Sequence, residues 1–507
     1  MATTTASWPG LSDRALPRSL GALAMAAVLA LAGLAVTVQI PAPPPLIAIA
    51  AGIVTLAAAW MLVSERYEWS LVILMLYLGL ADGFLKLSTG SSQVTLVRDL
   101  LLYAIAASAL VRIAVRRQPL AFPPLTGWVV AWVVVVAVQV ANPGNGTLLH
   151  SLASVRPHVE WVPLFFLGYL VVRSKARLRA FLVLLLVVGA ANGLVGLVQQ
   201  NITPDQLASW GPGYEQALKG EGSVSARSFA DEEGTERNRP FALGGDIGFG
   251  GSLGYLAVPA ALALLGLSLR PGMRLAVGLL AAGVVIAILT SAARVHVVAG
   301  IAAALAFAGL AVTSRGGFRV VAGTALGLLV AYAAVGILLA NSESGSFDRY
   351  QSISSPGQAL DTAYDYRKDV LSQVPVYAAE IPFGAGIGSK GPAGSFTGGG
   401  GGAGGAGLNG ESEPTFLLIE LGIPGLAVML GFTLVLLHVS VTRIRRIGDR
   451  ETRILLTAIA APLFALFVTW FAGVATATVP GAPYLWFAAG VLSYWLLGEG
   501  RKKWSPA

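Results

Sequence analysis

Arginines and carboxylates gather in one stretch of this chain. Between Asn341 and Glu413, about 70 residues hold Arg349, Asp361, Asp365, Arg367, Lys368, Asp369, Glu380, Lys390, Glu411 and Glu413 between two long apolar runs. The segment DTAYDYRKDVLSQVPVYAAEIPFGAGIG predicts an amphipathic helix from Thr362 to about Ala379, carrying Arg367 and ending at Pro382 and a glycine-rich turn. Asp365, Lys368 and Asp369 read as pairs along a solvated helix face. Elsewhere, LTSAARVHVV sets Arg294 at the mouth of an apolar run with no acid nearby in sequence. A guanidinium there either snorkels to an interface or offers a fork of donors to a phosphate. His296, two positions on, faces another side of the helix and reads as a satisfied interior histidine.

Glu411 and Glu413 stand just before the next apolar run. Carboxylates at a membrane boundary are raised in pKa by desolvation, which suits a general base; acids at a helix N-terminus are also ordinary capping residues. Arg156 and His158 in SVRPHVEWVPLFFLGYL precede another apolar run, as do Arg237 and Arg239 before RPFALGGDIGFGGSLGYL. With Arg294 and Arg367 they would surround an anion, or each would anchor its own span at the interface. Candidate catalytic residues are therefore Arg294, Arg367 and Glu411, with Arg239, Arg156, His158, Lys390 and Glu413 as candidate substrate-binding groups.

Other chemistries are excluded by what is missing. The chain has no cysteine, hence no disulfide, thiolate metal site or cysteine nucleophile, and its four histidines form no HxxH or HExxH pair. No metal and no cofactor are expected. GAGIGSK at Gly384 to Lys390 places Ser389 between the glycine and the lysine and so breaks the phosphate-binding loop that ATP hydrolysis needs. The tract GSFTGGGGGAGGAGLNG is low in complexity, a linker or a flexible lid.

The elements that must position these groups are membrane spans. The 507 residues are 55% hydrophobic and 12% charged, with mean hydropathy +0.72, far more apolar than a water-soluble core could hide. Apolar runs fall at Leu20–Ile40, Leu46–Val63, Trp69–Leu80, Val97–Val111, Leu125–Val140, Val159–Val172 and Leu178–Gln199. Seven more follow, at Ile247–Leu269, Leu275–Leu289, Val295–Val312, Val320–Ala340, Phe416–Ser440, Leu455–Ala477 and Ala482–Leu497. The expected fold is all-α: a polytopic transmembrane bundle of about fourteen spans with a large external loop containing short helices. It divides into spans 1–7 (residues 1–200), an external loop (201–246), spans 8–11 (247–340), the large external loop (341–413), and spans 12–14 with a tail (414–507). The first run has no small-residue cleavage site and reads as an uncleaved span.

Charge fixes the orientation. Alternate loops carry 22 of the 34 Lys and Arg but only 6 of the 26 Asp and Glu, so the formal +8 divides into +16 on one side and −8 on the other. Positive loops stay inside, which puts both termini in the cytoplasm and all the long loops on the external face. The basic pI is thus an orientation signal and an attraction to anionic membrane lipids, with no nucleic-acid partner. Chemistry on a face without ATP needs a substrate that carries its own activation, such as a lipid-borne diphosphate.

Together the motifs resemble the O-antigen ligase and polymerase superfamily of bacterial envelope glycosyltransferases. The likeness lies in TSAAR ending at Arg294, an external arginine helix (Arg367) followed by PFGAGIG, and the re-entry sequence ESEPTFLLIELGIPGLAVML. It covers about Arg239 to Leu430, and the first seven spans by topology only. The resemblance implies a C-type, metal-independent, inverting transfer of a glycan from an undecaprenyl-diphosphate carrier to a hydroxyl on a glycan, lipid or protein acceptor. It further implies an inner (cytoplasmic) membrane with the site facing the periplasm or exterior. Arg294 and Arg367 match the family's essential arginines. Where the family often has His-Asn, eleven residues before the glycine of E-L-G, this chain has Glu411-Ser412, so the implied base is Glu411. The rival reading is a flippase or exporter that binds the same diphosphate without breaking it; charges inside spans and inverted repeats with broken helices would mark it, and the sequence shows almost none, its mid-span stretches being nearly free of charge.

Overall fold

A computed structural model describes residues 56–61, 66–91, 94–115, 122–145, 148–219, 228–230, 236–267, 269–311, 356–390 and 408–503. The expected spans Leu20–Ile40 and Val320–Ala340, and all of Leu46–Val63 except 56–61, lie outside the described residues, as does Arg349. The helices in chain order are α1 (Tyr67–Thr89), α2 (Thr95–Val115), α3 (Thr126–Gln139), α4 (Leu148–Val159), α5 (Pro163–Val171) and α6 (Lys175–Gln200). Next come α7 (Pro204–Ala208), α8 (Pro212–Lys219), α9 (Phe249–Gly266), α10 (Pro271–Thr290) and α11 (Arg294–Ala311). The chain closes with α12 (Pro356–Glu380), α13 (Glu413–Ile444), α14 (Arg450–Thr469) and α15 (Gly481–Leu492).

Seven of these, α1, α6, α9, α10, α11, α13 and α14, are long and apolar enough to cross a bilayer, so the protein reads as a multi-pass membrane protein; α3 is apolar but has 14 residues. Local chemistry sets their ends. Ser174 caps α6 by accepting from Arg177 N, Asp449 caps α14 by accepting from Thr452 N, and prolines open α5 and α10, where a missing N–H costs nothing. Small residues let the spans approach: a Cβ on Gly193 of α6 would lie 2.0 Å from the Gly283 carbonyl of α10, so the two backbones meet without side chains between them.

Three expectations need correction. Val159–Val172 is not one run of helix, because Glu160 leaves the helix to pair with Arg98 and Pro163 starts a new helix after a three-residue turn. The segment 201–246, expected as an external loop, contains two short helices, α7 and α8, and a ribbon pairing Ser228–Ala230 with Glu236–Asn238. The arginine helix begins at Pro356, earlier than Thr362, and ends at Glu380 beside the expected stop.

Ion pairs join one end of the bundle. Lys175 meets Asp449 at 2.8 Å, Arg179 pairs with Glu451, and Arg177 approaches Glu68 at 3.9 Å, so the basic loops before α6 and α14 lie together. The opposite end gathers the N-termini of α2, α9, α11 and α13 with the loops that carry the candidate site.

Candidate functional site

The turn TSAAR is built from its own hydroxyls. At the end of α10, Ser291 Oγ donates to Ile288 O at 2.6 Å, and Ala292 adopts φ 51°, a left-handed conformation that a residue with a Cβ rarely takes. His296 N then donates to Ala293 O at 3.0 Å, which starts α11 at Arg294. Arg294 is exposed, and the next two residues, Val295 and His296, line a cavity of 190 Å³. Ser252 and Tyr255 of α9, Thr469 of α14 and the following segment to Gly481 form the other walls.

His296 is satisfied at both ring nitrogens, as the sequence reading expects, and it also lines the cavity. Its Nδ1 lies 3.0 Å from Ser291 Oγ and its Nε2 3.2 Å from Ser252 Oγ. Gly248 and Gly251 make room for the ring, since a Cβ on either would fall within 2.6 Å of it. Gly248 N also donates to Pro240 O at 3.3 Å, so the loop carrying the half-buried Arg239 packs one layer from this histidine. That loop is held by amides of α6: Gln199 both donates to and accepts from Ala242, and Asn192 Oδ1 accepts from Leu243 N.

The far wall rests on Glu413. Its carboxylate is wholly buried and accepts from Ala475 N at 2.5 Å, Thr476 N at 3.0 Å and the Thr476 hydroxyl, while its own N donates to Trp470 O. Expected at the substrate, Glu413 is instead turned inward to anchor the 470–476 segment, because three donors satisfy it there. Glu411 differs: it is exposed, and its N–H donates to Asn409 Oδ1. Ser412, between them, forms a capping box with Thr415.

The two glycine motifs interlock. Gly422 of E-L-G has φ 67° and ψ −168°, which breaks α13 into Glu413–Leu421 and a span that resumes at Pro424. A Cβ at Gly422 would lie 2.5 Å from Pro382 O, and Ile423 N donates to that oxygen at 2.8 Å. Ala385 N donates to Ile419 O at 2.7 Å, and Gln139 Nε2 of α3 donates to Phe383 O at 2.7 Å. PFGAGIG is thus fixed as backbone packed on backbone rather than left free.

Under that turn lies a pair the sequence did not reveal. His158 Nε2 meets Glu420 Oε2 at 2.7 Å, with both side chains 1% exposed, and Glu420 Oε1 accepts from Lys390 N at 3.1 Å. Phe416 stacks on His158 at 5.6 Å between centroids. His158, expected to meet a substrate, is therefore a buried brace; Lys390 contributes its backbone. Arg156 joins a second cluster, 2.8 Å from Asp99 and 3.5 Å from Glu160, while Arg98 bonds Glu160 at 2.8 Å and Asp82 at 3.1 Å. Two guanidiniums facing three carboxylates leave Arg156 engaged with the protein, not with an external anion. The only sequence signal for either cluster was a charge inside or beside an apolar run.

Arg367 sits in α12, whose Tyr377 packs with Ala385 and Ile419 and whose Tyr377 hydroxyl accepts from Asn409 N at 2.8 Å. The Arg367 side chain and residues 391–407 of the glycine tract lie outside the described residues. Among the described residues no group of three or more His, Asp or Glu is placed to hold a metal. Comparison with protein families, curated proteins and solved structures returns no match.

Proposed function

We propose that the protein is a membrane glycosyltransferase that moves a glycan from an undecaprenyl-diphosphate carrier to an acceptor hydroxyl, without a metal, on the external face. The observation that carries this reading is the cavity beside Arg294, lined by His296 and four hydroxyl side chains. In this reading Arg294 and, as the resemblance implies, Arg367 supply the positive charge that the diphosphate needs as the glycosidic bond breaks, with Arg239 assisting from the loop before α9. Such donors take the part a divalent ion would otherwise play. The family resemblance implies a carboxylate base at Glu411, which is exposed at the loop end.

A specific observation also favours the transporter reading: α13 is broken at Gly422 and holds Glu420 buried beside His158, the features of helices that line a transport path. One assay separates the two. Purified protein is given a labelled lipid-diphosphate oligosaccharide in EDTA. Release of undecaprenyl diphosphate that disappears in Arg294→Ala and Arg367→Ala supports transfer, and binding or translocation without release supports transport.

A further inference from the structure

Within the transferase reading, we propose that the 190 Å³ cavity takes a ring of the acceptor sugar and that His296, rather than Glu411, removes the proton from its hydroxyl. The assignment rests on the direction of three hydrogen bonds. Ser291 Oγ uses its only proton on Ile288 O at 2.6 Å, so toward His296 it can only accept. Nδ1 of His296 therefore carries the ring proton and donates to Ser291 at 3.0 Å, which leaves the lone pair on Nε2. That lone pair points at Ser252 Oγ, 3.2 Å away, and both side chains line the cavity. A hydroxyl already occupies the place where a substrate hydroxyl would lose its proton.

The walls suit a neutral guest. Ser252, Tyr255, Thr469 and Thr478 offer hydroxyls, the remaining lining residues other than His296 are apolar or glycine, and among the described residues no Asp, Glu, Lys or Arg lines the space. A diphosphate finds no cation among these lining residues, whereas a sugar hydroxyl finds partners of its own kind. The volume exceeds the roughly 150 Å³ that accommodates benzene in an engineered cavity, which is room for one six-membered ring. Glu411, by contrast, is exposed and does not line the cavity.

In the step, the acceptor oxygen bonds to the anomeric carbon and its proton passes to His296 Nε2. The carbon–oxygen bond to the carrier breaks, with its electron pair leaving on the diphosphate. The imidazolium keeps its Nδ1–H bond to Ser291 and returns the extra proton to solvent.

The test uses the full-length protein in nanodiscs with a radiolabelled undecaprenyl-diphosphate oligosaccharide as both donor and acceptor. Release of undecaprenyl diphosphate is read alongside retention of the lipid on the protein. A positioned general base contributes about 10²–10⁴-fold, so His296→Gln should slow release at least ~100-fold with lipid retention unchanged. Added imidazole should restore part of the rate to His296→Ala, which a merely structural histidine would not allow. Release in His296→Gln above about a tenth of wild type, loss of lipid retention together with release, or loss that follows Glu411→Gln instead, overturns the assignment. Absence of release from the wild-type protein overturns the transfer reading itself and the assignment with it. As a check without any donor, diethyl pyrocarbonate should modify His296, more slowly in a methyl glycoside; an unreactive His296 also overturns it.

Discussion

His158 and Glu420 come from segments 262 residues apart and meet at 2.7 Å, each shut away from solvent. Glu420 also accepts from Lys390 N, so one carboxylate joins α4, the first half of α13 and the glycine turn. Removing one partner of such a pair strands the other in a medium that cannot solvate it. Glu420→Ala is expected to cost about 3–5 kcal/mol, read as a lowered unfolding temperature in detergent. A double-mutant cycle with His158→Ala should show strong coupling, the double variant losing far less than the sum of the singles.

Gly422→Ala tests the interlock of the two glycine motifs. The new Cβ would lie 2.5 Å from Pro382 O in a backbone conformation at φ 67°. Strain of this kind costs on the order of 1–3 kcal/mol before any clash is counted. Faster proteolysis of the 383–390 turn, with the distant ion pairs of the basic end intact, is the expected signature.

Glu413→Gln tests the wall. Oε2 accepts from both Ala475 N and Thr476 N and Oε1 from the Thr476 hydroxyl, so an amide can keep the two backbone bonds but must present its NH2 to Thr476 Oγ, losing the charge-assisted bond there. The cost should be about 1–3 kcal/mol. Hydrogen exchange should rise in 470–478, because that is the segment the carboxylate holds.

Arg294→Lys separates a fork from a point charge. If Arg294 grips the leaving diphosphate through two N–H groups, lysine restores the charge but not the geometry. Release of undecaprenyl diphosphate should fall roughly 10²–10³-fold in Arg294→Ala and recover only partly in Arg294→Lys.

Asp449, at the basic end, should make stability depend on acid. Partial burial pushes its carboxyl up, but hydrogen bonds from Lys175 and Thr452 outweigh that and hold it at about 2, below its ordinary 3.8. A lowered carboxyl adds stability above the ordinary value and loses it as pH falls from about 4 toward 2. The pair is half exposed, so the effect should stay under ~1 kcal/mol. Unfolding temperatures followed across that range should drop in the wild type and stay flatter in Asp449→Asn.

Much of the architecture is legible in the chain because the bilayer imposes a length. A helix must be apolar for about 20 residues to cross, so α6, α9, α10 and α11 announce themselves within a few residues of their ends. The arginine helix with its stop near Pro382, and the marking of TSAAR and E-L-G as special, are equally local, since caps, prolines and glycines act within a few residues. Tertiary packing decided the rest. Glu411 and Glu413 look alike in sequence, yet one is exposed and the other is saturated by Ala475 and Thr476, more than sixty residues away. His296 reads as inert until Ser291 and Ser252 fix which nitrogen holds the proton. Sequence spacing governs what lies within a turn or two of helix; whether a polar group is paired inside or faces a cavity depends on partners that only the folded bundle brings within 3 Å.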